Sequence, residues 1–378
     1  MTSEERREAR YQRRRARRAE QKTARYAASD DFDQVFSYGN LYHSYKMSRR
    51  NVAWKSSVQK YITQAPLNVY TTYARLRDGK FRSSGFHEFD LIERGKKRHI
   101  RSVTIGERVV QRCLCDYALI PVLSRSFVYD NGACMKNKGY TFAADRLTQH
   151  LREHYRKHGT EGYILLYDFS RFFDLLAHKL IKGILCREFT DERIIALTGH
   201  FIDAFGDIGL GLGSPVSQIL ALASANRLDH YVKEIYRIRG YGRYNDDGYL
   251  IHRSKEYLQK CLDGIKVICE ELGITLNAKK TQIVKLSHGF TFLKIRYFLL
   301  PSGKVIKKIH HRSVTKMRRK LKAFQQKVKD GIMTYADVYQ SWQSWRAYAL
   351  NFNAYRTIQS VGVLFNQLFA FAPPLLAE

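Results

Sequence analysis

A short apolar run that ends abruptly in an aspartate constrains this chain more than any other feature. Residues 163–167 (YILLY) have the length and composition of a buried strand, and Asp168 follows them directly. The later stretch YGRYNDDGYLIH has apolar residues on both sides of an Asn-Asp-Asp-Gly segment, which predicts a β-hairpin carrying Asp246 and Asp247. If the strand and the hairpin are neighbours in one sheet, three carboxylates meet at its edge.

Carboxylates placed in this way indicate a site for divalent cations. Mg²⁺ prefers hard oxygen ligands, commonly one or two carboxylates together with substrate phosphates. A cluster of three carboxylates can hold two ions, which activate an attacking hydroxyl and stabilise a leaving pyrophosphate. The arrangement therefore predicts a nucleotidyl-transfer site.

Each acidic position also has an ordinary structural explanation. Asp247 and Gly248 have the composition of a tight hairpin turn, and Asp168 is a residue type that often caps a helix. The glycine-dense segment GDIGLGLGSP lies between the two acidic positions. The order of strand with aspartate, glycine-rich loop and Tyr-X-Asp-Asp hairpin favours the nucleotidyl-transfer site over unrelated turns and caps.

The charge of the chain points to a polyanionic partner. Its 65 Lys and Arg residues against 35 Asp and Glu residues give a formal net charge of +30. Nucleic acid is the partner that such an excess predicts, and 25 Tyr residues interleaved with the basic ones suit stacking on unpaired bases. A membrane surface is the competing interpretation, but it calls for a basic amphipathic helix flanked by free apolar residues.

Composition also excludes several classes of protein. A hydrophobic share of 44% excludes disorder throughout, and no run approaches the roughly 18 apolar residues of a membrane-spanning helix. The charged start MTSEERREARYQRRRARRAEQK lacks the apolar core of a signal peptide, which predicts a cytoplasmic protein. The six cysteines form no CxxC pairs, so we interpret them as reduced packing residues.

Periodicity predicts a chain that alternates between helical and extended segments. Residues 1–28 form an Arg-rich arm that has helical propensity but no apolar stripe, and it is either ordered by RNA or merely a solubilising tail. We expect a hairpin at 86–105 with Gly95 in its turn, and short strands at 280–309. Helices are predicted near 51–78, 106–120, up to 158, up to 206, and at 215–239, 255–272, 313–329, 334–349 and 351–370.

Three segments resemble the palm motifs of reverse transcriptases. Residues 167–173 (YDFSRFF), 212–218 (LGSPVSQ) and 243–247 (RYNDD) are similar to the first, second and third motifs. Lys96, Lys97, Arg98 and Arg101 resemble the basic hairpin of the fingers, residues 276–281 (LNAKKT) resemble the fourth palm motif, and Phe292-Leu293 resembles the primer grip. The similarity covers about residues 50–350.

The resemblance implies an α+β right-hand polymerase fold with fingers, a palm containing an antiparallel sheet, and an α-helical thumb. Its expected parts are a basic arm at 1–30, fingers and the start of the palm at 31–160, a palm with catalytic site and primer grip at 161–310, and a thumb at 311–378. The implied activity is that of an RNA-directed DNA polymerase, which copies template RNA into cDNA from dNTPs and holds an RNA/DNA hybrid.

The resemblance also implies roles for individual residues. Asp168, Asp246 and Asp247 would be catalytic and would hold two Mg²⁺ ions, with Mn²⁺ as a substitute, and Phe169 would lie at the metal site. Phe173 matches the residue that excludes a ribose 2′-hydroxyl, although a Phe is as often simply part of a core. The implied substrate-binding residues are Lys97, Arg98 and Arg101 on the triphosphate, Phe169, Phe173, Leu212, Gly213 and Gln218 around the nucleotide, and Lys280 at the leaving pyrophosphate.

The second motif narrows the likeness further. Leu212 stands where most bacterial reverse transcriptases have Gln, and with Gly213 and Gln218 it forms an LGxxxSQ pattern similar to that of diversity-generating retroelements. That likeness implies error-prone copying. An antiphage-defence enzyme acting on an associated structured non-coding RNA, with a small accessory protein as a further partner, and a non-catalytic RNA-binding or splicing cofactor remain open alternatives.

Two departures from the family pattern stand out. The primer-grip segment reads Phe-Leu-Lys-Ile where the family generally has Phe-Leu-Gly-Tyr, so Lys294 raises the question of whether its turn is tight. Asp174-Leu175-Leu176 follows Phe173 in place of a continuation with Pro or Gly. Neither departure affects the predicted metal ligands.

Overall fold

The computed structural model describes residues 2–93 and 96–370, which form an α+β fold dominated by helices. The helices are α1 (Ser3–Tyr26), α2 (Phe32–Val35), α3 (Tyr38–Ser48), α4 (Ser56–Thr63), α5 (Ala65–Arg77), α6 (Ile105–Leu114), α7 (Ile120–Leu123), α8 (Tyr140–His158), α9 (Phe172–Leu175), α10 (His178–Glu188), α11 (Glu192–Asp203), α12 (Pro215–Ser224), α13 (Asn226–His230), α14 (Lys255–Glu271), α15 (His311–Lys329), α16 (Tyr335–Leu350) and α17 (Tyr355–Phe369). The strands are β1 (His87–Glu93), β2 (Lys96–Ser102), β3 (Tyr163–Asp168), β4 (Gly240–Tyr244), β5 (Asp247–His252), β6 (Gln282–Lys285), β7 (Phe290–Phe292), β8 (Ile295–Leu299) and β9 (Val305–Ile309).

A sheet with the order β4-β5-β3-β6 lies at the centre of the fold, and every pairing in it is antiparallel. Ile164 and Leu165 of β3 are fully buried, as the apolar run predicts. Helices α8 and α14 pack against this sheet and exclude water from it. Because β3 and β5 run in opposite directions, the end of β3 lies beside the start of β5.

Most of the predicted elements are confirmed, and one helix is corrected. The segment predicted as one helix at 215–239 is divided: α12 ends at Ser224, α13 follows, and Tyr231–Ile235 form a π-helical turn. The Asn226 side chain donates to the Ser126 hydroxyl at 3.0 Å. This break redirects the chain so that Asp229 of α13 bonds to Arg243 of β4.

Two further antiparallel sheets are separate from the central one. The predicted basic hairpin is confirmed as β1–β2, and the turn containing Gly95 lies outside the described residues. Strands β7, β8 and β9 form the other sheet. The turn between β7 and β8 is tight although it contains no glycine, since Leu293 and Lys294 both adopt positive φ, at 48° and 63°. Lys294 therefore does not open this turn.

Helices α15, α16 and α17 have an apolar core of their own. Met317, Leu321 and Phe324 on one face of α15 are buried there, as their helical spacing predicts. Trp342 and Trp345 stack at 5.5 Å between ring centroids in the same core. The basic residues of α15 remain exposed on its other face, which leaves them accessible to a polyanion.

Most of the N-terminal arm is helical, since α1 covers residues 3–26. Helix α1 begins with a capping box, in which the Thr2 hydroxyl accepts from the Glu5 N–H and the Glu5 carboxylate accepts from the Thr2 N–H. In the ranges that the structure describes, no helix is long and apolar enough to cross a membrane.

Candidate active site

The three predicted aspartates come together at one edge of the central sheet. Asp168, the last residue of β3, is paired in register with Asp247, the first residue of β5. Asp246 precedes Asp247 in the hairpin turn, and its backbone carbonyl accepts from the Phe169 N–H at 3.0 Å. The antiparallel register therefore brings together side chains that are almost 80 residues apart in the sequence.

The position of the hairpin turn rules out the ordinary interpretation of Asp247. Tyr244 pairs with Asp247, so the turn residues are Asn245 and Asp246, with Asn245 at φ 53°. Asn tolerates this left-handed conformation better than most residues. Asp168 caps no helix either, since the residue before α9 is Arg171.

Gly248 has a packing role in β5 and is not a turn glycine. It lies opposite Tyr167, and a Cβ atom at this position would come within 2.2 Å of the tyrosine ring. Only glycine therefore permits the Tyr167 ring to cross β5 at this point. The contact keeps the strands that carry Asp168 and Asp247 in close register.

Two side chains from the segment before β6 hold the Asp168 carboxylate. The Lys280 ammonium donates to one oxygen at 2.6 Å, and the Asn277 amide donates to the other at 3.2 Å. The Asn277 N–H also donates to the Asp168 carbonyl at 2.8 Å. Asp168 is nearly buried, whereas the Lys280 side chain is about half exposed, so the lysine remains accessible from the cleft.

The carboxylates repel one another. Burial, together with the neighbouring charges of Asp246 and Asp168, raises the pKa of Asp247 to about 7. Burial lowers the pKa of Lys280, but its hydrogen bond and charge interaction with Asp168 outweigh that effect and raise the pKa. A lysine cation therefore offsets part of the negative charge of the three carboxylates.

The donor set fits divalent metal ions by its chemistry. Three carboxylates with hard oxygens lie side by side, and repulsion among them is the condition that a bound cation relieves. Within residues 2–93 and 96–370, no group of three or more His, Cys, Asp or Glu side chains is positioned to hold a metal ion in this conformation, and this includes the three aspartates. Lys280 pairs with Asp168 in this conformation, so that carboxylate would have to exchange partners on binding a metal ion.

A buried charge network supports the turn from below. Both oxygens of Asp229 in α13 accept from the Arg243 guanidinium, at 2.7 and 2.6 Å, and neither side chain is exposed. Arg243 also donates to the Asn245 carbonyl at 3.0 Å. The Tyr241 hydroxyl donates to Asp229 at 2.5 Å and is 2.9 Å from the Tyr167 hydroxyl. The network thus ties the Asp246 turn to β3, β4 and α13.

The aspartates line a cleft of about 1070 Å³. Its lining also includes the β7–β8 turn, with Lys294, and the end of α16. Lys280 also lines the cleft, together with Tyr140 at the start of α8. The size and polarity of this opening suit a large, charged substrate.

Other predicted site residues lie beside the cleft and not in its lining. Phe169 is buried, with its ring 5.0 Å from that of Phe172. Phe173 is half-buried and packs against the core, and its carbonyl accepts from the Leu210 N–H at 2.6 Å. Phe169 is therefore bonded to the aspartate edge through its backbone, whereas Phe173 is joined through its backbone to the glycine-rich segment.

The glycine-rich segment faces the basic hairpin. Gly213 has φ 102° and lies near Ile100 of β2, with Leu212 half-buried before it and Gln218 exposed on α12. Arg101 of β2 bonds to Glu88 at 2.9 Å and to the Phe205 carbonyl at 3.0 Å. Arg101 is thus engaged with the hairpin and with the loop that contains Phe205.

The side chains of Lys97 and Arg98 lie outside the part of the structure that is described. Their backbones are in β2, opposite Ile92 and Leu91.

Sequence reasoning missed Asn277 and the Asp229–Arg243 pair. Asn277 lies within the LNAKKT segment, so its motif was visible although its bond to Asp168 was not. Asp229 had no signal of its own, because its partner lies 14 residues away on another element. Only the folded chain brings these groups together.

Comparison with known proteins identifies the family. Residues 94–297, more than half of the chain, match the family described as reverse transcriptase (RNA-dependent DNA polymerase). A curated relative, Protein YkfC of Escherichia coli (strain K12), is 24% identical over 248 residues, which cover 53% of this chain and 62% of that protein. The chain thus belongs to the reverse transcriptase family and carries an RNA-dependent DNA polymerase domain.

Solved structures of telomerase are also similar. Apo telomerase from Candida tropicalis matches 76% of this chain and 63% of its own, at 15% identity and a TM-score of 0.48. The same telomerase truncated from its C-terminal domain matches 64% and 60%, at 16% identity and a TM-score of 0.43. The chain spans about three fifths of the length of these proteins and of YkfC.

Proposed function

We propose that this protein copies an RNA template into cDNA by two-metal nucleotidyl transfer. The observation that carries the proposal is the register of the central sheet, which pairs Asp168 with Asp247 and puts Asp246 in the adjoining turn. The three carboxylates open onto a cleft wide enough for a primer end and an incoming nucleotide. The family membership supplies the reaction class.

Asp168, Asp246 and Asp247 would hold two Mg²⁺ ions, or Mn²⁺ in their place. Bound there, such ions activate a primer 3′-hydroxyl and neutralise the charge of the leaving pyrophosphate. The protein side chains position the reactants: the Arg243 bond to the Asn245 carbonyl fixes the turn, and the Asn277 amide orients Asp168. Lys280 keeps a proton on Nζ at the edge of the cleft, where it can be delivered to the pyrophosphate.

The proposed architecture is a right hand. Residues 31–160 would form the fingers and the start of the palm, 161–310 the palm and primer grip, and 311–378 the thumb, after a basic arm at 1–30. The separate core of α15, α16 and α17 supports a distinct thumb, and the contact of Gly213 with β2 supports fingers that reach the palm. Residues 371–378 lie outside the described part of the chain.

Substrate selection would take place between the β1–β2 hairpin and the palm. Lys97, Arg98 and Arg101 would contact the triphosphate, with Arg101 released from Glu88 and the Phe205 carbonyl. Phe173 would exclude a ribose 2′-hydroxyl. Leu212, Gly213 and Gln218 would form the wall of the nucleotide pocket, where a Leu supplies no hydrogen bond of the kind a Gln would supply.

The LGxxxSQ pattern favours error-prone copying of a retroelement template RNA. A defence enzyme with its own structured RNA and a small accessory protein is the alternative role. The clustering of three carboxylates raises the pKa of Asp247 and destabilises the folded protein. A non-catalytic RNA-binding or splicing cofactor would gain nothing from this cluster, so that alternative is disfavoured.

Primer extension with Mg²⁺ tests the reaction. We expect Asp246→Ala and Asp247→Ala each to reduce cDNA synthesis at least a thousandfold while RNA binding persists, because each removes a metal ligand. A primer-extension rate near that of the wild-type protein in either variant would refute the assignment. Chelation by EDTA should stop synthesis, and added Mg²⁺ should restore it.

Product sequencing tests the biological role. Errors concentrated at template adenines would support the retroelement role, whereas synthesis without added template would support the defence role. Sequencing of RNA and cDNA that copurify with the protein would identify the natural template.

A further inference from the structure

A second cavity, of about 360 Å³, lies at the opposite end of the central sheet. It is bounded by the second half of α8, the start of β4 and the end of β5. Its residue His252 ends β5, the strand that Asp247 begins. At about 3.3 Å per strand residue, the two ends are roughly 17 Å apart, so this cavity is separate from the aspartate cleft.

Positive charge surrounds the opening. Lys157, Arg237, Arg239 and Arg253 all line the cavity, and all are exposed. Over the described ranges, none of these cations forms an ion pair with a carboxylate, in contrast to the paired Lys233 nearby. Glu153 contributes a carboxylate to the lining, and its Oε1 accepts from the Gln149 amide. The cavity therefore carries a net positive charge that the protein itself does not balance.

Imidazole groups add further donors. The rings of His154 and His158 lie 5.1 Å apart, and the His252 ring lies 4.5 Å from that of Tyr257. His154 Nε2 is 2.7 Å from the Glu161 carbonyl, so this nitrogen carries the proton. Burial and neighbouring positive charge lower the pKa of His154 and of His252. The imidazole rings therefore add little positive charge near neutral pH, and the charge of the cavity comes from its lysine and arginines.

The aromatic groups are not arranged to stack on bases. The Tyr257 hydroxyl donates to the Tyr236 carbonyl at 3.0 Å, and the Tyr236 hydroxyl donates to the Lys260 carbonyl at 3.1 Å. The two rings pack edge to face against each other at 6.3 Å. With these rings engaged, the cavity offers guanidinium and ammonium groups, which recognise phosphate and carry no base preference.

We propose that this cavity binds the phosphate backbone of a double-stranded RNA stem. The cations at its rim would contact adjacent phosphates, so that a structured RNA is held on the far end of the sheet from the reaction. A bound stem would keep the RNA on the protein while another part of the same molecule occupies the aspartate cleft. The inference goes beyond the polymerase reaction and does not depend on it, because binding is measured without nucleotides.

Charge reversal tests the site. The variant Arg239→Glu/Arg253→Glu should bind a labelled 20-base-pair RNA hairpin at least tenfold more weakly than wild type in 150 mM KCl. The slope of log affinity against log salt concentration should fall in magnitude by about 2, because each lost phosphate contact contributes about 0.9. The matched control is Lys60→Glu/Lys179→Glu, which changes the charge equally at exposed positions outside the cavity.

A milder variant guards against effects on folding. Lys157→Gln/Arg237→Asn removes two cations without adding acids, and Asn suits the positive φ of 52° at residue 237. It should weaken hairpin binding severalfold with an unchanged thermal midpoint. Primer extension on a short oligonucleotide duplex should be unchanged in both variants, since none of the four residues lines the aspartate cleft.

Two experimental outcomes would overturn the proposal. Equal hairpin binding by the cavity variant and the control would remove the site from RNA recognition. Calorimetric titration with dATP and with inorganic pyrophosphate tests whether the cavity binds a small phosphate compound and not RNA. If the cavity variants lose binding of these small anions but keep wild-type affinity for the hairpin, the site serves a free nucleotide or pyrophosphate and not RNA.

Discussion

The β4–β5 hairpin has carboxylates on two sides. On one side the carboxylate is buried in an ion pair, and on the other side the carboxylates line a cleft. Below the turn, Asp229 is completely buried, and Arg243 and Tyr241 supply hydrogen bonds to its carboxylate. Above it, Asp168 and Asp247 face a cleft together with Asp246, and Lys280 donates to the Asp168 carboxylate at 2.6 Å.

The difference shows how a fold separates structural charge from functional charge. A buried carboxylate is tolerated only when its partners satisfy it, since desolvation would otherwise cost several kcal/mol. In the cleft, burial and the neighbouring carboxylates of Asp246 and Asp168 instead raise the pKa of Asp247. The buried pair positions the turn, whereas the carboxylates that line the cleft lie where a ligand can reach them.

Breaking the buried pair should have the largest effect on stability. Arg243→Ala leaves Asp229 buried without its cation, which should lower the free energy of unfolding by about 3–5 kcal/mol. Urea denaturation measures this loss. The double variant Arg243→Met/Asp229→Leu should recover most of the stability, because no unpaired charge remains, but not the rate of cDNA synthesis, because the bond to the Asn245 carbonyl is still absent. Full recovery of both would show that Arg243 does not position the turn.

Removing charge from the cleft should have the opposite effect on stability. Asp247→Asn relieves repulsion from Asp246 and Asp168, so the metal-free protein should gain on the order of 1 kcal/mol in free energy of unfolding while losing activity. The folded-state pKa of Asp247 is raised to about 7, so its ionisation costs stability as pH rises from about 4 to 7. The gain should therefore be small near pH 4 and largest near pH 7.

Thermal unfolding in the presence of EDTA, at several pH values, measures this gain. If Asp247→Asn were less stable than the wild-type protein at pH 7, the expected repulsion of Asp247 by Asp246 and Asp168 would be contradicted. Adding Mg²⁺ should stabilise the wild-type protein more than the variant, which sharpens the contrast with the metal-independent Asp229 pair.

Replacing the lysine of the cleft should have the smallest effect on stability. The Lys280 side chain is 54% exposed, so Lys280→Met should change the free energy of unfolding by less than about 1 kcal/mol. The rate of nucleotide addition should fall about tenfold or more if Lys280 protonates the pyrophosphate. Lys280→Arg is the control, since it keeps the charge but releases a proton far less readily. A wild-type rate for Lys280→Met in single-turnover extension would remove Lys280 from the reaction.

Much of the fold could be predicted from local patterns in the sequence. The strand ending at Asp168, the hairpin with Asp246 and Asp247, and the helical spacing of Met317, Leu321 and Phe324 follow from periods of two and 3.6 residues. The break after Ser224 was not predicted, because an apolar, helix-compatible sequence continues through it and the contact with Ser126 is made by a distant segment. Tertiary contacts override propensity there.

The candidate active site likewise combines residues that motifs predicted with contacts that only the packing of separate elements creates. Asp168, Asp246 and Asp247 carried motif signals, whereas the bond of Asn277 to Asp168 and the engagement of Arg101 with Glu88 and the Phe205 carbonyl depend on how separate elements pack. The Leu293–Lys294 turn makes the point from the other direction: two non-glycine residues adopt positive φ, at some cost, because the pairing of β7 with β8 demands a tight turn.

By itself, the sequence determined the periodicities, the acidic residues at strand ends, the excess of positive charge and the family motifs. Only the tertiary structure decided which charges are balanced: Asp229 by Arg243, Asp168 in part by Lys280, and the cations around Arg239 by no carboxylate within the described ranges. The physical reason is that electrostatic energy depends on distance and burial in three dimensions, and neither can be read from the order of residues along the chain.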